Sequence, residues 1–273
     1  MPTVSTAGTG SASRWGPLWG SRPGDWAISE DLQLPTYEAA LARTGLQPRQ
    51  RVLDVGCGAG AFLRLAAGRG AIPSGVDASE ALIAFARRRL PGADLRVGEM
   101  EKLPWDDESF DLVTGFNAFF FANDMVAALR EAGRVARHGS PVVIQVWGAH
   151  EHCDLEAMKQ IARPFMPPRP AGAPSDPDLS RPGLLRELAI EAGLLPEVEF
   201  ETRWAFVYPD AGTLGRAMLA VAGLAHLVGP GRERELERAI VDGLAPYSRP
   251  DGSYRLSNEY RYLIARAPNS RPL

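Results

Sequence analysis

Residues 52–60 combine one acidic side chain with three glycines, a pattern that points to the binding of a small molecule. They read Val-Leu-Asp-Val-Gly-Cys-Gly-Ala-Gly, which predicts a short apolar strand, a tight turn and the start of a helix. Glycine permits such a turn and lets the backbone approach a ligand closely, because it has no Cβ. Gly56, Gly58 and Ala61 also fit the dinucleotide fingerprint G-x-G-x-x-G/A, so a dinucleotide is one candidate ligand.

Asp54 favours a cationic ligand over a dinucleotide. Its carboxylate precedes the first glycine by two residues, where it would repel the pyrophosphate of NAD. S-adenosylmethionine has no phosphate at that place and carries an ammonium and a sulfonium group. Both positive charges suit a carboxylate at the end of a strand. The segment therefore favours S-adenosylmethionine, with NAD as the alternative.

Acidic residues also follow the next two predicted strands. Asp77 lies in Gly-Val-Asp-Ala-Ser, 21 residues after Gly56, where a carboxylate can accept hydrogen bonds from both hydroxyls of a ribose. Residues 98–105 read Gly-Glu-Met-Glu-Lys-Leu-Pro-Trp, and residues 110–117 form an apolar strand that ends in Phe-Asn. Four motifs thus occur in order along the first half of the chain.

These motifs resemble the class I S-adenosylmethionine-dependent methyltransferases, in particular the broad bacterial group that includes the ubiquinone and menaquinone biosynthesis enzymes. The resemblance covers residues 45–148. It implies a Rossmann-like α/β fold, a doubly wound, mostly parallel sheet of seven strands with the last one antiparallel. It also implies an enzyme that takes a methyl group from S-adenosylmethionine and releases S-adenosylhomocysteine.

The resemblance further implies which residues touch the cofactor. Glu99 stands where the family usually has an Asp that accepts from the adenine amino group, and the next backbone N–H, that of Met100, donates to the ring. Phe116 and Asn117 end the strand that lies beside the methionine part. The expected cofactor residues are Asp54, Gly56, Cys57, Gly58, Gly60, Asp77, Ala78, Glu99, Met100, Glu101, Phe116 and Asn117.

Aromatic residues and two histidines cluster on the expected acceptor side. Ligands of open α/β sheets bind beyond the carboxyl ends of the strands, so we expect an aromatic-lined pocket for a small, mostly apolar acceptor. Its predicted wall is Trp19, Trp26, Phe120 and Trp147. His150 and His152 are the candidate bases for O- or C-methylation, with Tyr37 and Tyr208 as alternatives. We expect no metal site, since adjacent His and Cys residues without a distant ligand do not form one.

Strands and helices alternate from residue 51 onwards, which predicts a parallel sheet with helices on both faces. The predicted strands are residues 51–55, 71–76, 94–97, 110–115, 141–147, 198–208 and 254–267. After the fifth strand we predict a helix over residues 150–160 and a proline-rich loop over residues 162–182. Two apolar-striped helices, residues 213–227 and 232–244, lie between the last two strands. We therefore expect a disordered tail at 1–13, a helical, Trp-rich cap at 14–45 and the catalytic domain at 46–273, with a helical lid inserted at about 210–247.

Composition limits the other possibilities. The 273 residues are 45% hydrophobic and carry a net charge of −3, so a basic footprint for nucleic acid or membrane is missing. Two cysteines and no signal peptide predict a cytoplasmic protein, and the apolar lid helices would also suit a homodimer. The alternative function is a methyltransferase-like protein that keeps the cofactor for binding or for non-methylating, cyclase-type chemistry.

Overall fold

The computed structural model describes residues 10–166, 178–228 and 231–268. Within these ranges seven strands form one sheet. They are β1 (Arg51–Val55), β2 (Ile72–Asp77), β3 (Asp94–Val97), β4 (Leu112–Phe116), β5 (Pro141–Trp147), β6 (Leu195–Tyr208) and β7 (Tyr254–Arg266). Their order is β3-β2-β1-β4-β5-β7-β6. β1–β5 are parallel, and β7 is antiparallel to both β5 and β6. The predicted sheet is confirmed.

The helices begin and end where local chemistry favours it. They are α1 (Ser11–Trp19), α2 (Pro23–Asp31), α3 (Leu34–Thr44), α4 (Ala61–Gly68), α5 (Glu80–Arg89), α6 (Met125–Val135), α7 (Leu155–Ala162), α8 (Leu184–Glu191), α9 (Ala211–Ala220), α10 (Leu224–Val228) and α11 (Glu233–Gly243). Ser79 caps α5 by accepting from Leu82 N at 3.2 Å. Asp124 caps α6 in the same way through Ala127 N at 3.0 Å. Gly45 ends α3 in the left-handed conformation with φ 66°.

The core lies on both faces of the sheet because successive strand residues point to opposite sides. Val52 packs into one hydrophobic cluster and its neighbour Leu53 into the other. The same division separates Leu112 from Val113 and Val143 from Val142. Burial on both faces explains why these strands are continuously apolar and do not alternate with polar residues.

The N-terminal region is more ordered than we predicted. Residues 1–9 lie outside the described residues, but residues 11–13 already form the first turn of α1, so the predicted disorder at 11–13 is wrong. The reason is a tertiary contact: the Ser11 hydroxyl lies 2.9 Å from carboxylate oxygens of Glu99 and Glu101. We call α1 and α2 the cap.

The insertion between β6 and β7 contains α9, α10 and α11. The predicted single helix at 213–227 is wrong, because Ala222 has φ 49° and separates α9 from α10. The stretch Ala211–Val228 is long and apolar enough to cross a membrane, but 50% of it is buried inside the protein. A core helix shows the same properties, so the stretch is weak evidence for a membrane span.

Apolar residues of the insertion pack within the chain itself. Leu214, Leu236 and Ile240 are fully buried. We expect a homodimer from the sequence because it would bury the apolar stripes of the insertion helices. Packing within a single chain already buries these side chains.

The connection after β5 is less regular than predicted. We expected a helix over residues 150–160, whereas the structure has a short 3-10 turn, His150–His152, followed by α7. The predicted proline-rich loop at 162–182 begins with another such turn, Arg163–Phe165. Its residues 167–177 lie outside the described residues.

Candidate functional site

A cavity of about 380 Å³ lies between the carboxyl ends of the strands, the cap and the insertion. The strand order reverses between β1 and β4, and such a switch point is where open α/β sheets bind ligands. The predicted site residues that line the cavity are Trp19, Trp26, Asp54, Gly56, Cys57, Gly58, Asp77, Ala78, Met100, Phe116, Asn117, Phe120 and Trp147. The other five, Gly60, Glu99, Glu101, His150 and His152, are not among its lining residues.

The glycine-rich turn needs glycine for two separate reasons. Gly56, Gly58 and Gly60 have φ of 74°, 54° and 84°, a region that other residues rarely adopt. A Cβ on Gly56 would also stand 2.5 Å from the Ala118 side chain, too close for any substitution without a shift. The turn is held to β2, because Gly56 N and Cys57 N both donate to Val76 O at 2.8 and 3.0 Å.

Gly60 contributes by packing. A Cβ there would be 3.3 Å from the Ala86 side chain, so the missing side chain allows α4 and α5 to approach.

Asp77 connects β2 to the glycine-rich turn. Its Oδ2 accepts from Gly58 N at 2.9 Å and its Oδ1 accepts from Ser79 N at 2.8 Å. Burial raises the pKa of the Asp77 carboxyl, and the two backbone donors oppose that effect. The carboxylate therefore holds the turn in shape while it lines the cavity.

Asp54 lies at the end of β1 and is almost fully buried. It accepts a hydrogen bond from Thr114 Oγ1 at 2.7 Å. Burial raises the pKa of its carboxyl well above the ordinary value; the Thr114 bond lowers it, and the carboxylates of Glu30 and Asp77 raise it further. A cluster of buried carboxyl groups favours a ligand that brings positive charge.

Glu30 completes this cluster, and the sequence analysis missed it. It belongs to α2, is 4% exposed, and lines the cavity. Its carboxylate accepts from Ala59 N at 2.7 Å and from Ala61 N at 2.8 Å. Burial raises the pKa of Glu30 from 4.5 to about 7. One signal was available: α4 follows a glycine, which has no side chain to cap the helix, so its first amides require a partner from elsewhere.

Glu99 and Glu101 face the cap and not the cavity. Glu99 Oε2 accepts from Ser11 Oγ and from Ala12 N, each at 2.9 Å. Glu101 Oε1 accepts from Asn123 N at 2.7 Å. Between them Met100 lines the cavity. This placement argues against direct adenine contact by Glu99, because its carboxylate faces the start of α1 and does not line the cavity.

Neither of the two candidate bases lines the cavity. His150 has a side chain that is 64% exposed, with Nδ1 3.1 Å from Glu156 Oε1. His152 is 41% exposed, with Nδ1 2.9 Å from Glu259 Oε2. The 3-10 turn that replaces the predicted helix carries both imidazoles outside the wall. This geometry argues against a role for either as a base.

Tyr37, Tyr208 and Asn117 add polar atoms to the lining of the cavity. Tyr208 and Ser29, both buried, form a hydroxyl pair at 2.9 Å. Burial raises the pKa of Tyr37 and Tyr208, so both stay protonated at neutral pH. Asn117, with φ 51°, has a buried Oδ1 without a hydrogen-bond partner. Such an atom is available to a ligand.

The remaining wall is aromatic and comes largely from the cap. Trp19 makes edge contacts with Trp26 and Phe121, with ring centroids 4.7 and 5.5 Å apart. Trp15 contacts Phe121 at 4.8 Å. Within the described part of the chain, no group of three or more His, Cys, Asp or Glu residues is placed to hold a metal ion.

The sheet order and the glycine-rich turn beside buried carboxylates are the features of class I S-adenosylmethionine-dependent methyltransferases, and comparisons with known proteins support that class for this chain. Residues 53–144 match a protein family described as a methyltransferase domain.

Known proteins support this assignment. The chain is 27% identical over 249 residues to malonyl-[acyl-carrier protein] O-methyltransferase of Serratia marcescens, covering 88% of this chain and 90% of that protein. Its fold is similar to a chain of the complex that contains the Haloferax volcanii Trm112 methyltransferase activator (TM-score 0.62, 21% identity, 95% and 100% covered). It is also similar to the [4+2]-cyclase SpnF (TM-score 0.56, 20% identity, 86% and 81% covered).

Proposed function

We propose that this enzyme transfers the methyl group of S-adenosylmethionine to an oxygen or carbon atom of a small, largely apolar organic molecule. One observation carries the proposal: one cavity is lined both by buried carboxylates with a glycine-rich turn and by aromatic side chains. The carboxylates suit a cationic cofactor and the aromatic side chains an apolar acceptor.

The residues present fit the cofactor. Asp77 stands beside the turn, where its carboxylate would accept from the ribose hydroxyls. Asp54 would face the positively charged methionine part, and Ala78 and Met100 would border the adenine. S-adenosylmethionine supplies a methyl carbon activated by sulfonium and leaves as S-adenosylhomocysteine. The protein contributes alignment of the acceptor and exclusion of water.

The proposed methyl transfer does not depend on a general base that removes a proton from the acceptor. Of the described residues that line the cavity, the tyrosines are protonated and none is a histidine. An acceptor that is already ionised, such as a carboxylate, needs no base. The Serratia marcescens relative is named for O-methylation of malonyl-acyl carrier protein. Small carboxylic acids and acyl thioesters with a free carboxylate are therefore the first acceptors to test.

Calorimetry with S-adenosylmethionine, S-adenosylhomocysteine and NAD tests the cofactor. We expect binding of the first two and not of NAD. Measurable NAD binding without S-adenosylhomocysteine binding would contradict the proposal. Incubation with S-adenosylmethionine and an acceptor library, followed by mass spectrometry, then identifies acceptors by a gain of one methyl group together with formation of S-adenosylhomocysteine.

The second candidate is cyclase-type chemistry with a retained cofactor. The similarity to a [4+2]-cyclase concerns the fold, and the fold serves both activities. The same assay separates the two: a cyclase would give a product of unchanged mass and would leave the S-adenosylmethionine intact.

Several organisational features belong to the same proposal. We propose that the cap, together with α3, covers the cavity and that the insertion acts as a lid on the catalytic domain. We also propose small-molecule acceptors without nucleic acid or membrane partners, a cytoplasmic location and a homodimer as the alternative to a monomer. The net charge of −3 and the two buried, unpaired cysteines support the absence of nucleic acid and the reducing compartment.

A further inference from the structure

Glu30 is a buried acid that the cap inserts into the glycine-rich turn. The start of α4 has no capping side chain of its own, since residue 60 is glycine. Glu30 supplies both missing acceptors, Oε2 to Ala59 N at 2.7 Å and Oε1 to Ala61 N at 2.8 Å. The contact joins residues about thirty positions apart in the chain, so it forms only when the cap is docked.

The carboxylate also faces the cavity. A Cβ placed on Gly58 would lie 2.9 Å from Glu30 Oε2 and 3.1 Å from Trp26 Nε1, so the acid packs directly against the turn. A carboxylate has about four acceptor positions, and the two backbone donors occupy two of them. Glu30 therefore retains acceptor capacity for a ligand in the cavity that it lines.

Glu30 is not neutralised by the cations around it. Among the described residues, none forms an ion pair with Glu30. The guanidinium of Arg89 lowers the pKa of Glu30 through its charge, but its ion pair is with Asp31. The carboxylate of Glu30 in turn raises the pKa values of Asp54 and Tyr37, so these groups lie within electrostatic range of it. The position therefore favours a cation that enters with a ligand.

We propose that Glu30 is a cofactor-binding residue that the cap supplies, and that its carboxylate binds the ammonium group of S-adenosylmethionine. The geometry carries this inference, because Glu30 packs against the glycine-rich turn and lines the same cavity as Asp54, which is proposed above to face the methionine part. It rests on the proposed function in one respect, the identity of the cofactor. Its consequence is that cofactor binding and cap docking stabilise each other, since one carboxylate takes part in both.

The test compares ligands with and without the amino-acid part. S-adenosylhomocysteine has the ammonium group, whereas 5′-methylthioadenosine keeps the adenosine and the sulfur but lacks it. For Glu30→Gln we expect S-adenosylhomocysteine and S-adenosylmethionine to bind roughly 10- to 100-fold more weakly, the range for a hydrogen bond to a charged group. Binding of 5′-methylthioadenosine should stay within about twofold, because neither Asp77 nor Met100 is changed.

The matched control is Asp25→Asn. Asp25 lies on the same helix, loses the same charge, and pairs with Arg22 and Arg216 at 3.5 and 3.6 Å outside the cavity. It should leave the affinity ratio of the two ligands unchanged. If Glu30→Gln does not fold, Glu30→Asp keeps the charge on a shorter side chain and should show the same selective loss to a smaller degree.

Hydrogen exchange in α2 gives a second readout. S-adenosylhomocysteine should protect the amides of α2 in the parent and protect them less in Glu30→Gln. Equal weakening of both ligands, or of neither, would overturn the role of Glu30 while leaving the cofactor proposal intact. A parent protein that binds neither S-adenosylmethionine nor S-adenosylhomocysteine would overturn both.

Discussion

Three buried carboxyl groups set the electrostatics of this site. Asp54, Asp77 and Glu30 are all buried, and burial raises the pKa of each. Burying acids without cationic partners destabilises a folded protein. Backbone amides of the turn and the Thr114 hydroxyl offset part of that cost. A cationic ligand would offset the rest, which gives a physical reason for this arrangement.

Asp77→Ala tests one of these acids. We expect cofactor binding to weaken by about 1.5–3 kcal/mol, because hydrogen bonds to a charged group are lost. The substitution also removes the acceptor of Gly58 N, so Asp77→Asn, which can still accept that bond, is the control for loss of turn geometry. Isothermal calorimetry measures both. A folded Asp77→Ala protein that binds within a factor of two of the parent would remove Asp77 from the ribose role.

The stability of the ligand-free protein should depend on pH through Glu30. Its pKa rises from 4.5 to about 7 on folding, so the folded state holds the proton more tightly than the unfolded state. The resulting stabilisation is fully present below about pH 4.5 and is lost as the pH rises through about 7, up to roughly 3 kcal/mol. Asp54 and Asp77 act in the same direction, since their pKa values are also raised.

Urea unfolding between pH 5 and 8.5 measures this dependence. The free energy of unfolding of the parent should fall across the range, and Glu30→Gln should show a flatter profile because it removes a group whose pKa lies near neutrality. Parallel profiles for the two proteins would show that Glu30 does not titrate there.

At the scale of elements, the cap and the insertion close the cavity together. Trp15 and Trp19 of α1 and Met218 of α9 all line it. Arg22 at the start of α2 donates to Glu233 of α11 at 2.5 Å, so the two elements are also paired outside the cavity. Exclusion of water from the acceptor side thus depends on contacts between segments about two hundred residues apart.

Deleting residues 1–20 removes α1 and keeps Glu30 and Trp26 in place. We expect the remaining domain to fold, because the sheet and its two hydrophobic clusters are intact. Acceptor binding should fall more than cofactor binding, since Trp15 and Trp19 leave the aromatic wall. Circular dichroism checks the fold and calorimetry the affinities. Parent-like affinity for both ligands would mean that α1 is not part of the enclosure.

At the scale of the whole molecule, one glycine sets how closely the cap approaches the insertion. Gly223 has φ 68°, and a Cβ there would lie 2.7 Å from Leu18 Cα in the backbone of α1. Backbone atoms cannot move aside as a flexible side chain can. A side chain at this position must therefore push α1 away from the insertion.

Gly223→Ala should weaken acceptor binding and increase hydrogen exchange in α1. The control is Gly252→Ala, which has a similar φ of 84° but open space around the position. Both variants place an alanine at positive φ, and we expect this backbone strain to destabilise each of them by roughly 1 kcal/mol. Only Gly223→Ala adds a steric clash. If the two variants lose acceptor affinity equally, strain and not cap displacement explains the effect.

The sequence by itself determined the sheet, the glycine-rich turn and the positions of Asp54 and Asp77. These features are local: apolar runs of five to seven residues, glycines at positive φ and a capping Ser79 act within a few residues of each other. Their order along the chain was enough to predict the parallel sheet, and the resemblance added the antiparallel last strand.

Only the tertiary structure decided which side chains meet in the cavity. Glu30 contacts Ala59 because the cap folds back over the turn, and Glu99 turns to Ser11 for the same reason. His150 and His152 follow β5 as predicted, but a 3-10 turn directs them to Glu156 and Glu259. Spacing along the chain specifies hydrogen bonds between neighbours. Partners that are thirty to two hundred residues apart are set by how whole elements pack, and the residue types alone do not contain that information.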